Sequence, residues 1–505
     1  MPAPDLLLAV DQGTGSTKAM LVDPSGAVVA EASVAVGQAH PRPGWVEQDG
    51  EEVWASVRGS IAACVAPEHA GRVAWVALSV QRETVLLWDR ATGAPVAPAL
   101  SWQDQRTGDR ADALEQAGHA DVVRARTGLP LDPMFSALKA GWLLDAHDAD
   151  RARSGAGEWC VSTLDAWLLA RLAGPAAAER DVVTEVGCAS RTQLLDIDTT
   201  AWDPQLLDLF GVPAAALPRV VASTGPFAPG ADLAPLADGT PVLAVMADSH
   251  AALFAHAGWR PGLVKATYGT GSSVMALGPR ASTSSGVCAT VAWRCGDEVA
   301  LALEANIRST GRTLTWLADL LEVDVDVLFE EAAAAPGSDG VTLVPAFGGL
   351  GAPWWDRDAV PVLSGLSLGT RRPQLARAAL ESIALQVDDA VTAFAEVTGP
   401  LAELAGDGGM TRSTALMQLQ ADVTGLPVRI GRTANLSALG VAHLAGLGLG
   451  WWTWSDLEDG LGAPAPAAYL PAGDDQRRSR RMTWAHEVAR SRFRSPRHLT
   501  SKATP

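Results

Sequence analysis

The sequence predicts an α/β protein made of two related domains. Three observations lead there: a length of 505 residues, an alternation of antiparallel hairpins with helices that occurs once in each half, and a glycine- and hydroxyl-rich loop that follows an apolar strand in each half. A chain this long divides into two or more domains, each large enough to bury its own core. The expected boundaries are 1–247, 248–475 and a basic tail at 476–505.

In the first half, residues 5 to 10 are a continuous apolar run, the pattern of a buried strand. Asp11 to Lys18 is polar and glycine-rich, Ala19 to Val22 resumes the strand, Asp23-Pro24-Ser25-Gly26 is a tight turn, and Ala27 to Ala30 returns. A second hairpin is expected from Val85 to Asp89 and Pro95 to Leu100, joined through Thr92-Gly93. Between 134 and 172 the pattern turns helical, with Leu138, Trp142 and Leu143 on one face. A fresh helix start is expected at Ser162, where Ser162 and Asp165 form an S-x-x-D capping pair, and Gly174 supplies the stop.

The second half begins near the apolar strand Pro241 to Met246 and repeats the theme. Leu263 to Thr267 is a strand, Tyr268 to Ser273 a glycine- and hydroxyl-rich turn, and Val274 to Leu277 the return. Another hairpin, Thr290 to Trp293 and Val299 to Leu303, turns at Cys295-Gly296-Asp297. Helices follow: Leu314, Leu317, Leu320 and Leu321 share one face, and Leu380, Ile383, Val387, Val391 and Phe394 share another. Two such domains suggest a cleft between them, the usual place for a ligand.

Charge excludes several classes. There are 39 Lys+Arg against 57 Asp+Glu, a net charge of -18, and the charged fraction of 19% is too low for a disordered or coiled-coil chain. An acidic protein repels phosphate backbones and anionic membranes, so neither is expected as a partner. The tail is the exception: from 476 onward, eight Arg and one Lys stand against the single acid Glu487, net +8, with -26 left for the rest. A solvated terminal helix from Arg477 to Arg494 accounts for it most simply. Five cysteines without C-x-x-C spacing suit reduced thiols. The apolar start, Leu6 to Val10, is too short for a signal core, and the apolar stretch Leu436 to Trp452 falls short of a membrane span and reads as a buried helix. A soluble, cytoplasmic protein is expected.

Three glycine-rich loops each follow a strand: Asp11 to Lys18, Thr267 to Ser273, and Gly406 to Gly409. Such loops let backbone N–H groups approach an anion, and flanking hydroxyls add donors, which suits phosphate. Neither of the first two fits the Walker A or Rossmann pattern. His250 and His256 lack the i,i+4 spacing of a helical metal pair and are read as structural. Gly365-Leu366-Ser367-Leu368-Gly369 satisfies G-x-S-x-G, with Asp407 and His443 following in hydrolase order. A nucleophile elbow runs straight into its helix, however, whereas Thr370 to Pro373 intervene here.

The ordered blocks VDQGTGSTK (10–18), GWVEQDGEEVW (44–54), SVQRETVLLWD (79–89), SWQDQRT (101–107) and TGLPLDPMFSALKAGWLL (127–144) carry a family resemblance. So do CASRTQLLDI (188–197), ADSHAALFAH (247–256), TYGTGSS (267–273), GLGAPWWD (349–356), GLSLGT and ALESIALQ (365–386), and GDGGMTRSTALMQLQADVTG (406–425). Over about residues 5 to 452 the chain resembles the FGGY family of carbohydrate kinases, most of all its glycerol-kinase branch. That resemblance implies two actin-like, ribonuclease-H-like ATPase domains with a catalytic cleft between them, the first on the substrate and Mg-phosphate side, the second on the nucleotide side. It implies ATP and Mg2+ as cofactors, a small polyol or sugar as acceptor, and a homodimer or homotetramer. Asp248 resembles the family's catalytic base, and Asp11 the acid that holds Mg2+ through water. Thr14, Lys18, Gly269 and Thr270 are similar to phosphate contacts, and Gly311 and Gly409 to adenosine contacts. Arg82, Glu83, Trp102 and Asp248 match positions that hold the acceptor.

The chain departs from the glycerol-kinase pattern at a few positions. Met134 stands where that branch has Tyr, Ser249 where it has Gln, Ser273 where it has Phe, and Ser413, on the adenine side, where it has Asn. Shorter side chains and a lost hydroxyl imply a roomier acceptor pocket with one donor fewer, suited to a four- or five-carbon polyol or ketose. A pentulose kinase acting on xylulose or ribulose is the alternative, although xylulose kinases usually carry Met-His where this chain has Arg82-Glu83. An actin-like ATPase without a small acceptor is a more distant one, and it would not need Arg82, Glu83 and Trp102 together.

Overall fold

The computed structural model describes residues 5–174, 181–227, 229–231, 233–280, 286–431, 433–461, 468–473 and 477–493. The architecture is mixed α/β, and the chain forms two compact units. The first comprises 1–257, 289–302 and 435–465; the second comprises 258–288, 303–434 and 466–505.

The sheet of the first unit contains β1 (Leu6–Gln12), β2 (Ser16–Val22), β3 (Val28–Ala35), β4 (Val73–Val80) and β5 (Thr240–Ala247), in the order β5-β4-β1-β2-β3. β2 is antiparallel to both β1 and β3, whereas β4 is parallel to both β1 and β5. Every residue of β1 is buried, because an apolar run covered on both faces is what a central strand requires. The β2–β3 turn is the expected Asp23-Pro24-Ser25-Gly26. Asp23 accepts from the Ser25 and Ala27 N–H groups, and Gly26 takes a φ of +83°. Helix α1 (Gly50–Cys64), capped by the Asp49 carboxylate, covers one face through Val53, Trp54, Val57 and Ile61.

A smaller four-stranded sheet orders Glu47–Gln48, Ala99–Leu100, Val85–Asp89 and Trp159–Thr163. It packs with helix α2 (Ser136–His147) around Val85, Leu87, Leu138, Leu143 and Phe210. Ser162 does not cap a helix. It lies in the last strand of this sheet and accepts from the indole N–H of Trp88 at 3.0 Å, and the next helix, Leu164–Leu172, starts two residues later. Helix α3 (Asp248–Ala255) follows β5 directly, and the apolar stretch from Leu436 is the buried helix Leu436–Gly448, packed against it in this unit. Among the described residues no helix is long and apolar enough to cross a membrane.

The sheet of the second unit contains β6 (Leu263–Tyr268), β7 (Ser272–Leu277), β8 (Glu298–Ile307, of which 303–307 belong to this unit), β9 (Glu403–Asp407) and β10 (Val428–Ile430), in the order β8-β7-β6-β9-β10. β6 is antiparallel to β7 and parallel to β9, and β9 is parallel to β10. The central pattern of the first unit is therefore repeated. Helix α4 (Gly311–Leu321) buries Leu314 and Leu317, whereas Leu320 is 60% exposed, so the predicted stripe is narrower than its spacing suggests. Leu380, Ile383, Val387, Val391 and Phe394 of α5 (Arg372–Thr398) are all buried as expected. Ser367 lies in the exposed loop ahead of α5, with Thr370 as its partner, so the G-x-S-x-G segment is not a strand-to-helix elbow.

Helix α6 (Thr414–Thr424) and α7 (Arg477–Arg492) complete this unit. The expected end of the tail helix, Arg494, and the residues after it lie outside the described residues. The tail helix is docked rather than simply solvated: Trp484 and Val488 are in the core, and the Trp484 indole donates to Asp389 at 2.7 Å. Arg481 Nε lies 2.5 Å from Asp388 Oδ2. Burial pushes the Asp388 carboxyl up to about 7, with Arg481 acting against it. The folded protein therefore keeps this proton in a range where the unfolded chain has released it, and the group's contribution to stability falls as pH rises from about 4 to 7. Replacing Arg481 with Met raises the folded pKa further. The titration-linked loss of stability in Arg481→Met is thus expected to be small at pH 6 and to grow above pH 7, as measured by paired thermal melts at pH 6 and pH 8.5.

Candidate active site

The first glycine-rich loop joins β1 to β2, and strand register sets its chemistry. Asp11 pairs with Lys18 across the hairpin and with Ser79 across the parallel β4. The Ser79 hydroxyl donates to Asp11 Oδ1 at 2.8 Å, and Lys18 Nζ lies 4.0 Å from Oδ2. Burial pushes the Asp11 carboxyl up to about 6; Lys18 opposes the shift and the charge of Asp248 adds to it. A buried carboxylate with a second negative charge close by favours a cation beside it. Among the described residues no group of three or more His, Cys, Asp or Glu forms a cage for a metal. The donor set, Asp11 with Asp248 nearby, fits Mg2+, which keeps waters and phosphate oxygens and needs only one or two carboxylates.

On the same unit, α3 opens with Asp248, whose carboxylate lies in the first turn, where helix N–H groups favour negative charge. Arg82 Nε is 3.2 Å from Asp248 Oδ1, and the Ser249 N–H donates to that oxygen at 2.5 Å. Glu83, at a φ of +58°, is held by Arg191, whose Nε lies 2.6 Å from its Oε1; both side chains are buried. Trp102 donates its indole N–H to Thr14 Oγ1 at 2.9 Å and its backbone N–H to Thr84 Oγ1 at 3.2 Å. Met134 is half-buried, its N–H bonded to Asp132 Oδ1 at 2.9 Å. Asp11, Thr14, Lys18, Arg82, Glu83, Trp102, Met134, Asp248 and Ser249 all belong to this unit.

A buried polar frame beneath these residues was not singled out from sequence. Gln48 donates to the Thr14 carbonyl at 2.8 Å, and Gln81 donates to Gln48 at 3.0 Å and to Gln12 at 3.1 Å. Arg106 is packed over Trp45 and Trp142, 3.6 and 4.7 Å from the ring centres, and pairs with Glu47 and Asp104. Lys139 and Arg191 are fully buried cations. For Lys139 the available signal was compositional, a charge among Ala137, Leu138 and Ala140; Arg106 and Arg191 are flanked by polar residues and carried no such signal beyond lying in blocks that bear the family resemblance.

In the second unit the β6–β7 turn and the start of α4 interlock. The Gly311 N–H donates to Gly269 O at 3.0 Å, and the Thr310 and Arg312 N–H groups donate to Thr270 O at 3.1 Å. A Cβ at Gly311 would lie 2.7 Å from Gly269 O, and one at Gly408, where φ is +93°, would lie 2.4 Å from Tyr268 O. Backbones this close admit only glycine. Gly409 is exposed, and a Cβ there would meet nothing within 4 Å, so its face is open to a ligand. The fold thus gathers Gly269, Thr270, Gly311 and Gly409. Ser413 caps α6, its hydroxyl accepting from the Leu416 N–H at 3.2 Å.

The chain matches the N-terminal domain of the FGGY family of carbohydrate kinases over residues 6–255 and the C-terminal domain of that family over 264–449. It is 43% identical to the glycerol kinase of Aromatoleum aromaticum over 501 residues, covering 96% of this chain and 98% of that protein. It is 39% identical to the apulose kinase of Pectobacterium atrosepticum over 494 residues, covering 97% and 99%. Among solved structures, the Plasmodium falciparum glycerol kinase with ADP superposes with a TM-score of 0.89 at 26% identity, covering 98% of this chain and 99% of that one. The ligand-bound xylulose kinase of Lactobacillus acidophilus gives 0.84 at 21% identity over 96% of each chain, a likeness of fold. The expected pair of actin-like ATPase domains is confirmed. With both family domains matched in order across most of its length, the chain belongs to the FGGY family of carbohydrate kinases.

Proposed function

We propose that this enzyme transfers the γ-phosphoryl group of ATP to a hydroxyl of a small polyol, as a glycerol kinase does. The observation that carries the reading is the Asp248 carboxylate, set at the start of α3 with Arg82 at 3.2 Å and with Asp11 close enough to feel its charge. Asp248 takes the proton of the attacking hydroxyl, the new O–P bond forms in line, and the bond to the β-phosphate breaks to release ADP. Arg82, Glu83 and Trp102 hold the acceptor; donor and acceptor groups side by side suit vicinal hydroxyls. Thr14 and Lys18 serve as phosphate contacts on the first unit; on the second, Gly269 and Thr270 serve as phosphate contacts and Gly311, Gly409 and Ser413 as adenosine contacts. Magnesium, held through Asp11, neutralises phosphate charge when bound. In a chain of net charge -18, an anionic nucleotide is captured by these local donors rather than by the overall field. Five free cysteines and the use of ATP support a cytoplasmic setting.

A second reading, a ketose of four or five carbons as acceptor, is favoured by Met134 and Ser249 and by the similarity to an apulose kinase. Sites that hydrogen-bond a substrate discriminate sharply, so exchanged partners change preference more than strength. A coupled ADP-release assay over glycerol, erythritol, ribitol, apulose, xylulose and ribulose tests both readings. Acceptor-dependent turnover is expected, and the ranking of kcat/KM decides between them. Steady ATP hydrolysis unaffected by any acceptor would instead identify an ATPase without a small-molecule acceptor.

A further inference from the structure

We propose that Lys139 is a positioning residue that sets the geometry of the acceptor pocket by tying the Trp102 segment to Met134. The inference rests on the acceptor site proposed above. Lys139 lies on α2 with its side chain fully buried. Its ammonium donates to the carbonyl of Met134 at 2.6 Å and to the carbonyl of Ser101 at 3.1 Å. These two carbonyls come from different stretches of irregular chain: Ser101 immediately precedes Trp102, and Met134 precedes the helix itself.

The rest of the local bonding makes this link consequential. The Met134 N–H is fixed by Asp132, so Lys139 completes a grip on both sides of that residue. The Trp102 N–H is fixed by Thr84 and its indole reaches Thr14 of the phosphate loop, so a shift of the Ser101 peptide would move the indole as well. One ammonium therefore determines how far the Trp102 ring stands from the Met134 side chain, the two walls assigned to the acceptor.

A lysine used only to fill space would be a poor choice here. Its neighbours on α2, Ala137, Leu138, Ala140 and Leu143, are buried and apolar, and an apolar residue would avoid desolvating a charge. Burial pulls the ammonium down to about 7, and the carboxylates of Glu83, Asp104 and Asp132 counter that effect while Arg106 adds to it. The cost is offset by those carboxylates and by what the cation holds, namely two carbonyls that would otherwise lack this donor.

The test compares wild type with Lys139→Met and Lys139→Gln in the coupled ADP-release assay, with thermal melts to confirm folding. Both variants are expected to raise KM for the acceptor about tenfold or more, to change the ratio of kcat/KM between a three-carbon and a five-carbon acceptor, and to leave KM for ATP within about twofold. Gln, which keeps an N–H donor, should be the milder change. A folded variant with unchanged acceptor KM and unchanged ratio overturns the proposal, as does an equal loss in every parameter or a failure of both variants to fold, each of which marks a purely structural lysine. Wild type without acceptor-dependent ADP release overturns the acceptor reading and this proposal together, which separates the two failures.

Discussion

Replacing Asp248 with Asn is expected to lower kcat by about 10²- to 10⁴-fold, the range that a single general base contributes. The variant keeps the shape of the side chain and removes its capacity to take a proton. Arg82 and the Ser249 N–H, which contact Oδ1, can be met by the amide oxygen, so KM for the acceptor should change far less than kcat. A loss confined to kcat is the mark of an interaction made in the transition state. Asp11 should respond as well: the Asp248 charge is one of the causes holding its carboxyl near 6, and removing it lets that carboxyl ionise at lower pH. Steady-state kinetics with ADP-release coupling and a magnesium titration of both proteins measure these effects. Full activity in Asp248→Asn would remove the residue from the role of base.

The second large effect concerns stability. Arg191→Met strands the Glu83 carboxylate, 4% exposed and paired to Arg191 Nε at 2.6 Å, in a buried place. Removing one partner of such a pair costs about 3–5 kcal/mol, because the remaining charge is uncompensated. The guanidinium also lies 5.1 Å from the Phe135 ring centre, a contact that methionine keeps only in part. Denaturant unfolding should show the full loss in Arg191→Met and recovery of much of it in the double variant Arg191→Met/Glu83→Gln, where neither member of the pair is left charged. If the double variant is as unstable as the sum of the single ones, the pair is not the source of the effect.

Much of the fold was legible because central strands are apolar over their whole length and their turns carry glycine at positive φ. Residues 5 to 10 and the Asp23 to Gly26 turn are of this kind, while the β6–β7 hairpin was legible from its glycine-rich turn between two mainly apolar strands. Ser162 misled because a hydroxyl followed three residues later by an acid is a local pattern, whereas the residue's real partner, Trp88, comes from another strand 74 positions away. Leu320 misled because its spacing suits a helical stripe, yet only the tertiary packing of α4 decides how wide that stripe is. In the candidate site, the carboxylates and glycines proposed to serve a ligand were singled out by the sequence blocks that contain them. The frame behind them was not, since Lys139 meets Ser101 across 38 residues and Arg191 meets Glu83 across 108. No local pattern pairs such positions. The tail's charge was legible too, but not the buried Trp484 and Val488 that anchor it.

The repeated strand order has a consequence for where each unit keeps its acid. In the first sheet, Asp11 near the end of β1 stands opposite Ser79 on the parallel neighbour β4; in the second, Thr267 near the end of β6 stands opposite Asp407 on the parallel neighbour β9. The same two topological slots hold one acid and one hydroxyl in each copy, with their places exchanged. The acid that each sheet carries at this level therefore comes from the hairpin strand in one unit and from its parallel neighbour in the other, so a shared scaffold does not place its charge on a shared strand.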